Sequence, residues 1–475
     1  MHKRFLMILL AASLSLAGSA KVRLPHLIGD NMVLQAGTDA RLWGWGQPGS
    51  TVKLSVSWNE PGVSAKVGKD GRWMAKVRTP KAGFKPLSIT FDDGEKTTIN
   101  NVLAGEVWVC AGQSNMEMPI RGFEQCPVEG YNEVVAQTVQ YPYVRHVKVP
   151  SVRSMKPLDD AQCHWEDCDA AHVANASATG YFFGRLVSRL LNVPVGLIEA
   201  NKGGSRVESW LSRDNLAAHT DEPLDSVSIS KRPADYTWQL VWGNGTFNPV
   251  LNCTVRGIIY YQGCSNVGQS KHYAERLKLL AEQWRKGFGL GQIPFYFVEI
   301  APFFYGNDSG TAAALLREQQ YKASAMIPNS GFVGTNDCVY PFERRNIHPS
   351  QKLKVGERLA FLALSDTYGV KGFMYKNPSF ESMKVDGDKA YIKLKDTYGG
   401  VQPIDGIEGF EVAGEDKVFH PATARADMQK GIIVSSPEVG KPAAVRYCFR
   451  NFKLGNLKNQ GGLPLIPFRT DNWDE

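Results

Sequence analysis

Three segments of the sequence each close an apolar run with a cluster of Gly, Asn, Gln and Ser. Glu106 to Cys110 leads into Ala111-Gly112-Gln113-Ser114-Asn115-Met116-Glu117-Met118, Pro194 to Ala200 into Asn201-Lys202-Gly203-Gly204-Ser205-Arg206, and Arg256 to Tyr261 into Gln262-Gly263-Cys264-Ser265-Asn266. Glycine allows a tight turn and close backbone approach, and an amide side chain is a directed donor. Together the three exits offer a serine nucleophile and a set of oxyanion donors. A serine hydroxyl is a poor nucleophile at neutral pH and needs a base, and the chain has nine histidines to supply one. His348 is the best placed, in Asn346-Ile347-His348-Pro349 between the last strand candidate and a helical stretch. It reads either as that base or as a surface or helix-capping histidine. G-x-S-x-G, Walker A and H-E-x-x-H motifs do not occur, so the nucleophile-elbow hydrolase, P-loop and zincin readings lose their signatures.

The elements that must position these residues alternate between strand and helix from about Val102 to Tyr368. The strand candidates are the three above together with Pro294 to Ile300 and Gly331 to Thr335. Helices are expected over Gly180 to Leu191, over Lys271 to Lys286, where Tyr273, Leu277, Leu280 and Trp284 repeat every three to four residues, and over Ser350 to Leu364. This alternation predicts an α/β core, a parallel sheet covered on both faces, and ligands then collect beyond the carboxyl ends of the strands. Short alternating runs before it (Ala40 to Trp45, Thr51 to Trp58, Arg72 to Val77, Leu87 to Phe91) and after it (Ala390 to Leu394, Ile432 to Val434) predict flanking all-β modules, the first a small sandwich. Gly44-x-Gly46-x-x-Gly49 matches the dinucleotide fingerprint in letters, but Pro48 and a following strand make these turn glycines. The expected boundaries are 1–20, 21–101, 102–370 and 371–475.

Residues 1–20 carry Lys3 and Arg4, an apolar run from Phe5 to Leu16 and small residues at Ala17 to Ala20, the pattern of a cleaved leader. The mature chain is therefore expected to be exported, periplasmic or extracellular, with no membrane-spanning segment. Without Lys3 and Arg4 the formal charge of +7 becomes +5, too mild and too dispersed to indicate nucleic-acid binding. Hydrophobic residues at 43% and charged residues at 21% exclude a disordered or coiled-coil chain. Eight cysteines allow disulfides whose pairing the sequence does not give. Cys163-His164-x-x-x-Cys168 is a weak metal pattern that reads better as a local disulfide or free thiols.

Five ordered blocks now carry a resemblance. They are Gly112-Gln113-Ser114-Asn115-Met116; Tyr181-Phe182-Phe183-Gly184-Arg185 with Pro194-Val195-Gly196-Leu197-Ile198; Gly203-Gly204-Ser205-x-x-Glu208-Ser209-Trp210; Tyr261-Gln262-Gly263-x-Ser265-Asn266; and Ile347-His348-Pro349 with Val355 to Ala360. Together, over roughly Val102 to Leu364, they resemble the sialate O-acetylesterase family of SGNH-type, GDSL-like carbohydrate esterases. The resemblance implies a three-layer core with flanking β modules and an esterase acting on O-acetylated sialic acid. It also implies Ser114 as nucleophile, His348 as general base and later acid, and an oxyanion hole of the Ser114 amide, the Gly204 amide and the Gln262 side chain. No metal or organic cofactor is implied.

The sequence departs from the family pattern twice. Many relatives place Asp two residues before the histidine, where this chain has Asn346. A Ser-His dyad with a backbone carbonyl orienting His348 is therefore expected, and Asp337 and Glu343 are the other acid candidates. Cys264 stands where many relatives have Glu. Arg121, Arg206 and Asn115 lie beside the catalytic blocks and are candidate substrate contacts, and Arg121, Arg206 and Lys202 are the candidates for a sialate carboxylate. Another acetylated glycan such as xylan, or a non-catalytic glycan-binding role, is the alternative; charged Glu117, Arg121 and Glu124 beside the nucleophile disfavour a lipase.

Overall fold

The longest strand, Lys96–Gly112, is 17 residues long and belongs to two pairing environments. Its first half pairs antiparallel with Gly83–Asp92, and Leu103 to Gly105 pair in parallel with Val33–Gln35. From Val102 onward nearly every residue is buried, as a strand covered on both faces requires. The expected boundary between residues 101 and 102 thus falls inside one continuous strand. The computed structural model that shows this describes residues 21–58 and 60–473; the leader expected over 1–20 lies outside the described residues.

The fold is mixed α/β, one large mixed sheet with separate small antiparallel sheets. Across the core the strand order is Ser330–Val333, Phe295–Val298, Gly257–Tyr261, Lys96–Gly112, Val195–Asn201 and Val144–Val149, all parallel, with Trp165–Asp167 antiparallel at the edge. Side chains alternate between the faces with period two. Val107, Val109, Ala111, Ile258 and Tyr260 pack with the helix Tyr273–Phe288 and with Ala313 and Leu316 of the helix Ala312–Met326. Trp108, Cys110, Ile259 and Tyr261 pack with the helices Ala178–Leu191 and Lys352–Leu362. The expected stripe Tyr273, Leu277, Leu280 and Trp284 is fully buried, and the Trp284 ring stacks on Phe247 with centroids 3.7 Å apart.

Two elements escaped the sequence pattern for a physical reason. In the strand Val144–Val149, Arg145 and His146 are buried because Asp167 and Glu199 pair with them, so the run does not read as apolar. In the helix Ala312–Met326, Arg317 and Gln320 occupy core-facing positions. The flanking modules are β, as expected. In the first, Asp39–Trp45 pairs with Arg72–Arg78, and the glycine motif ends in a turn at Gly49 ahead of the strand Thr51–Val56. In the last, two four-stranded antiparallel sheets enclose a separate core around Ile392, Val412, Val434, Tyr447 and Leu465. The eight cysteines are free thiols. Among the described residues no helix is long and apolar enough to cross a membrane.

Candidate active site

Strand register brings the three exits together. Asn201 and Tyr261 both pair with Gly112, so all three strands end at one level. Gly112 has φ +143°, and a Cβ there would lie 2.2 Å from the Tyr261 carbonyl oxygen, so only glycine fits the bend. The turn is then pinned from both neighbours: Gln113 N donates to Tyr261 O at 2.9 Å and Lys202 N to Gly112 O at 3.0 Å, while Gly263 N donates to Gln113 Oε1 at 2.7 Å. Ser114 follows, at the start of the short helix Ser114–Glu117.

His348 Nε2 lies 2.8 Å from Ser114 Oγ, across 234 residues of sequence. Both residues are partly exposed, so a ligand can reach them. Burial, and then the charge of Lys352, hold the His348 imidazole down to about 4, which keeps it neutral and able to accept the serine proton. The edge of its ring meets Phe123, centroids 5.1 Å apart at 68°. Asn115 Nδ2 donates to Ile347 O at 3.0 Å, and the Lys352 ammonium donates to Asn115 Oδ1 at 2.8 Å and to Pro349 O at 2.7 Å. The histidine loop is thereby tied to the residue after the serine. Burial pushes the Lys352 ammonium down to about 7, against the Cys338, Glu343, Cys264 and Cys126 groups that face it.

The candidate third residues all work elsewhere. Asn346 Oδ1 accepts from the His348 backbone N at 2.9 Å and from Cys126 Sγ at 3.2 Å, so it shapes the loop and not the ring. Glu343 accepts from Tyr340 N at 3.0 Å and Ser350 N at 2.9 Å, closing the same loop. Asp337 is buried in a two-pronged pair with Arg358, both contacts 2.8 Å, with Lys458 Nζ at 3.1 Å. Burial opposes its charge, yet Arg358, Lys458 and Lys354 carry it down to about 2. Among the described residues no carboxylate comes within ion-pair distance of His348, and the expected carbonyl partner of its ring is absent as well.

Three further candidates make contacts inside the protein. The Gln262 side chain is buried, and its Nε2 already donates to Ser205 O at 3.0 Å and Asn266 Oδ1 at 2.9 Å, while Oε1 accepts from Tyr273 at 2.9 Å. Both N–H groups are committed, so this amide braces the site and has none left for an oxyanion. Asn115 is buried, and its amide is committed to Ile347 O and Lys352 in the bridge just described. Arg206 is buried between Glu208 at 3.1 Å and Glu222 at 3.3 Å, so its charge is answered inside the protein. Arg121 remains exposed, its guanidinium bonded to Asn175 Oδ1. Gly204, at φ +74°, follows Gly203, where an added Cβ would sit 3.4 Å from Ser114 Cβ.

Sequence reasoning missed three features. Glu208, fully buried, binds Arg276, Arg206 and the Asn266 amide and so ties the second exit to the third; its place in the quoted Gly-Gly-Ser-x-x-Glu block was the available signal. Lys352 carries no local signal, since its partner Asn115 is 237 residues away. Tyr236, in the irregular stretch after residue 218, packs its ring on Gly204 and keeps 43% of its surface exposed.

Comparison with known proteins identifies the family. Residues 104–365 match the family described as carbohydrate esterase, sialic acid-specific acetylesterase. The chain is 27% identical to the sialate O-acetylesterase of Mus musculus, with 78% of each chain covered. It is 26% identical to that of Homo sapiens, with 78% of this chain and 76% of the relative covered. A carbohydrate acetylesterase from Xanthomonas citri superposes with a TM-score of 0.85 at 31% identity, over 95% of this chain and 100% of that one. The matched segment holds the serine, the glycine loop and the histidine, and the chain belongs to this family of sialic acid-specific carbohydrate acetylesterases, which makes it an ester hydrolase.

Proposed function

We propose that the protein is an exported serine esterase that removes O-acetyl groups from sialic acids through an acetyl-Ser114 intermediate. The observation that carries the reading is the 2.8 Å contact between His348 Nε2 and Ser114 Oγ. As Ser114 Oγ attacks the acetyl carbonyl, His348 takes its proton, and the carbonyl π electrons move onto oxygen. The backbone N–H groups of Ser114 and Gly204 receive that oxyanion. Collapse breaks the ester C–O bond, and His348 returns the proton to the departing sugar alkoxide. Water, deprotonated by His348, then attacks acetyl-Ser114, releases acetate and restores the serine. With no acid on the imidazole, the pair works as a dyad on an SGNH-type core.

The leader pattern in residues 1–20 supports export, and the change of pattern near residues 101 and 370 supports the three-part division of the mature chain. The test is acetate release from O-acetylated sialic acid and, in parallel, from acetylated xylan, with Ser114→Ala as control. Ser114-dependent release mainly from the sialate, with an acetyl adduct trapped on the Ser114 peptide, is the expected result. Release mainly from xylan keeps the mechanism and replaces the substrate. Release that survives Ser114→Ala overturns the nucleophile, and no release from either substrate favours a glycan-binding role.

A further inference from the structure

Two side chains near the glycine loop keep polar groups without a polar partner among the described residues. The first is Lys202. Its backbone is fixed on both sides, Lys202 N to Gly112 O at 3.0 Å and Ser205 N to Lys202 O at 3.2 Å, so the residue cannot drift from the strand exits. Its ammonium sits over the ring of buried Trp242, 5.2 Å from the centroid, and among the described residues no carboxylate pairs with it. The second is Tyr236. Its ring lies against Gly204, so that a Cβ at 204 would be 2.5 Å from Cδ2, yet 43% of the residue is exposed and among the described residues its hydroxyl has no partner.

The two are parts of one built surface. Trp242 carries Lys202 on its face and donates from Nε1 to Tyr236 O at 2.8 Å. The turn bearing Tyr236 is fixed again by Trp238 Nε1 to Arg232 O at 3.1 Å and by Arg153 to Asp235 at 2.8 Å. Of the acids nearby, Asp235 pairs with Arg153, and Glu117 Oε2 accepts from the Gly203 N–H at 2.6 Å. A cation with no carboxylate partner among the described residues and a half-exposed phenol are therefore joined through Trp242, and the phenol lies against Gly204.

We infer that Lys202 and Tyr236 form a subsite for a sugar ring bearing a carboxylate, the ring lying on the phenol face and the carboxylate meeting the ammonium. An aromatic face suits the C–H side of a pyranose, and its hydroxyl suits a ring hydroxyl. A lone ammonium beside a low-dielectric wall favours an anionic group over a neutral one. The inference rests on the esterase reading for its position beside Ser114, and it assigns the discrimination between acidic and neutral acetylated sugars to these two residues, not to buried Arg206.

The experiment has two arms. In the first, binding of N-acetylneuraminic acid and of its methyl ester is measured on folded Ser114→Ala protein, alone and combined with Lys202→Met, Tyr236→Ala or Arg121→Gln. The acid should bind more tightly than its ester, and Lys202→Met and Tyr236→Ala should each weaken it by about 10- to 100-fold, as loss of a charge-assisted contact or a stacking face does, while Arg121→Gln leaves it unchanged. Equal binding of acid and ester, unchanged binding in Lys202→Met, or loss in Arg121→Gln alone overturns the inference. In the second arm the ratio of kcat/KM for O-acetylated sialic acid to that for p-nitrophenyl acetate is measured in proteins that keep Ser114. That ratio should fall by about 10-fold or more in Lys202→Met and Tyr236→Ala, chiefly through KM. An unchanged ratio overturns the subsite, whereas acid binding lost in Lys202→Met together with acetate release that survives Ser114→Ala overturns the nucleophile and leaves the subsite standing.

Discussion

Asn115 joins Lys352 to the backbone just before the candidate base: its Oδ1 accepts from Lys352 Nζ at 2.8 Å while its Nδ2 donates to Ile347 O at 3.0 Å. The residue next to the serine thus holds the loop that carries the histidine. The bridge ties the loop bearing His348, which lies 2.8 Å from Ser114 Oγ, to the residue after the serine.

Lys352→Met tests the bridge. It leaves Asn115 Oδ1 and Pro349 O buried without a donor, which should lower stability by about 1–3 kcal/mol. It also frees the histidine loop, and kcat should fall by about 10- to 100-fold. The lysine charge is the second cause of the low His348 value, so the acid limb of kcat/KM should move upward in the variant. Chemical denaturation and a pH–rate profile read the three effects, and a profile that does not move removes the lysine's electrostatic part.

The pH dependence of the unaltered protein follows from the same histidine. The base must be neutral, and its neutral fraction falls only as pH drops through about 4, so activity should persist well below the 6.5 of an ordinary imidazole. Stability has the matching sign. Between 6.5 and about 4 the unfolded chain takes up this proton and the folded chain does not, so the group costs stability as pH falls through that window. A kcat/KM limb near 6.5 would show that another environment surrounds the working base.

Asp337→Asn separates a structural acid from a catalytic one. Removing the carboxylate strands Arg358, almost wholly buried, and should cost about 3–5 kcal/mol. Because the Asp337 value is depressed to about 2, the pair contributes fully above the ordinary 3.8 and its contribution is lost as pH falls toward 2. At a temperature where the variant stays folded, the acid limb of kcat/KM should coincide with that of the parent. A shifted limb would return Asp337 to the catalytic group.

Gly204→Ala asks what the oxyanion loop tolerates. The backbone is at φ +74°, which costs an alanine about 1–2 kcal/mol, and the new methyl would run into the Tyr236 ring at 2.5 Å. The loop or the ring must give way, and kcat on p-nitrophenyl acetate should drop by about 100-fold or more, the cost of losing one oxyanion donor. Near-normal kcat would remove the Gly204 amide from the oxyanion hole.

Residue types and order were enough to find the serine, the histidine, the glycine loop and the strands that end beside them. Local alternation also exposed the β modules. Roles were harder to read than positions. Gln262, Asn115 and Arg206 have the chemistry of ligand-binding side chains, but Asn266, Lys352 and Glu222 consume that chemistry inside the protein; Asn266 stands in the same block as Gln262, whereas Glu222 is 16 residues from Arg206 and Lys352 is 237 residues from Asn115, beyond any motif. Charge inside the core hid Val144–Val149, because a paired Arg145 breaks the apolar pattern that marks a central strand. Tyr236 sat in a stretch without periodicity and became visible only through its contact with Gly204.

The unbroken strand Lys96–Gly112 makes the N-terminal module part of the catalytic machinery's foundation. Its outer half is clamped by Gly83–Asp92 and its inner half delivers Gly112 and Ser114, so sliding it by one residue would turn every side chain to the opposite face and carry Ser114 out of line with His348. The module is in effect a ruler for the active strand. A chain cut near residue 101 would sever that ruler and leave Gln35 and Glu106, joined at 3.1 Å, without each other. The first module and the esterase core should therefore melt in one transition, and grafting a foreign module onto the core would require preserving the strand in full.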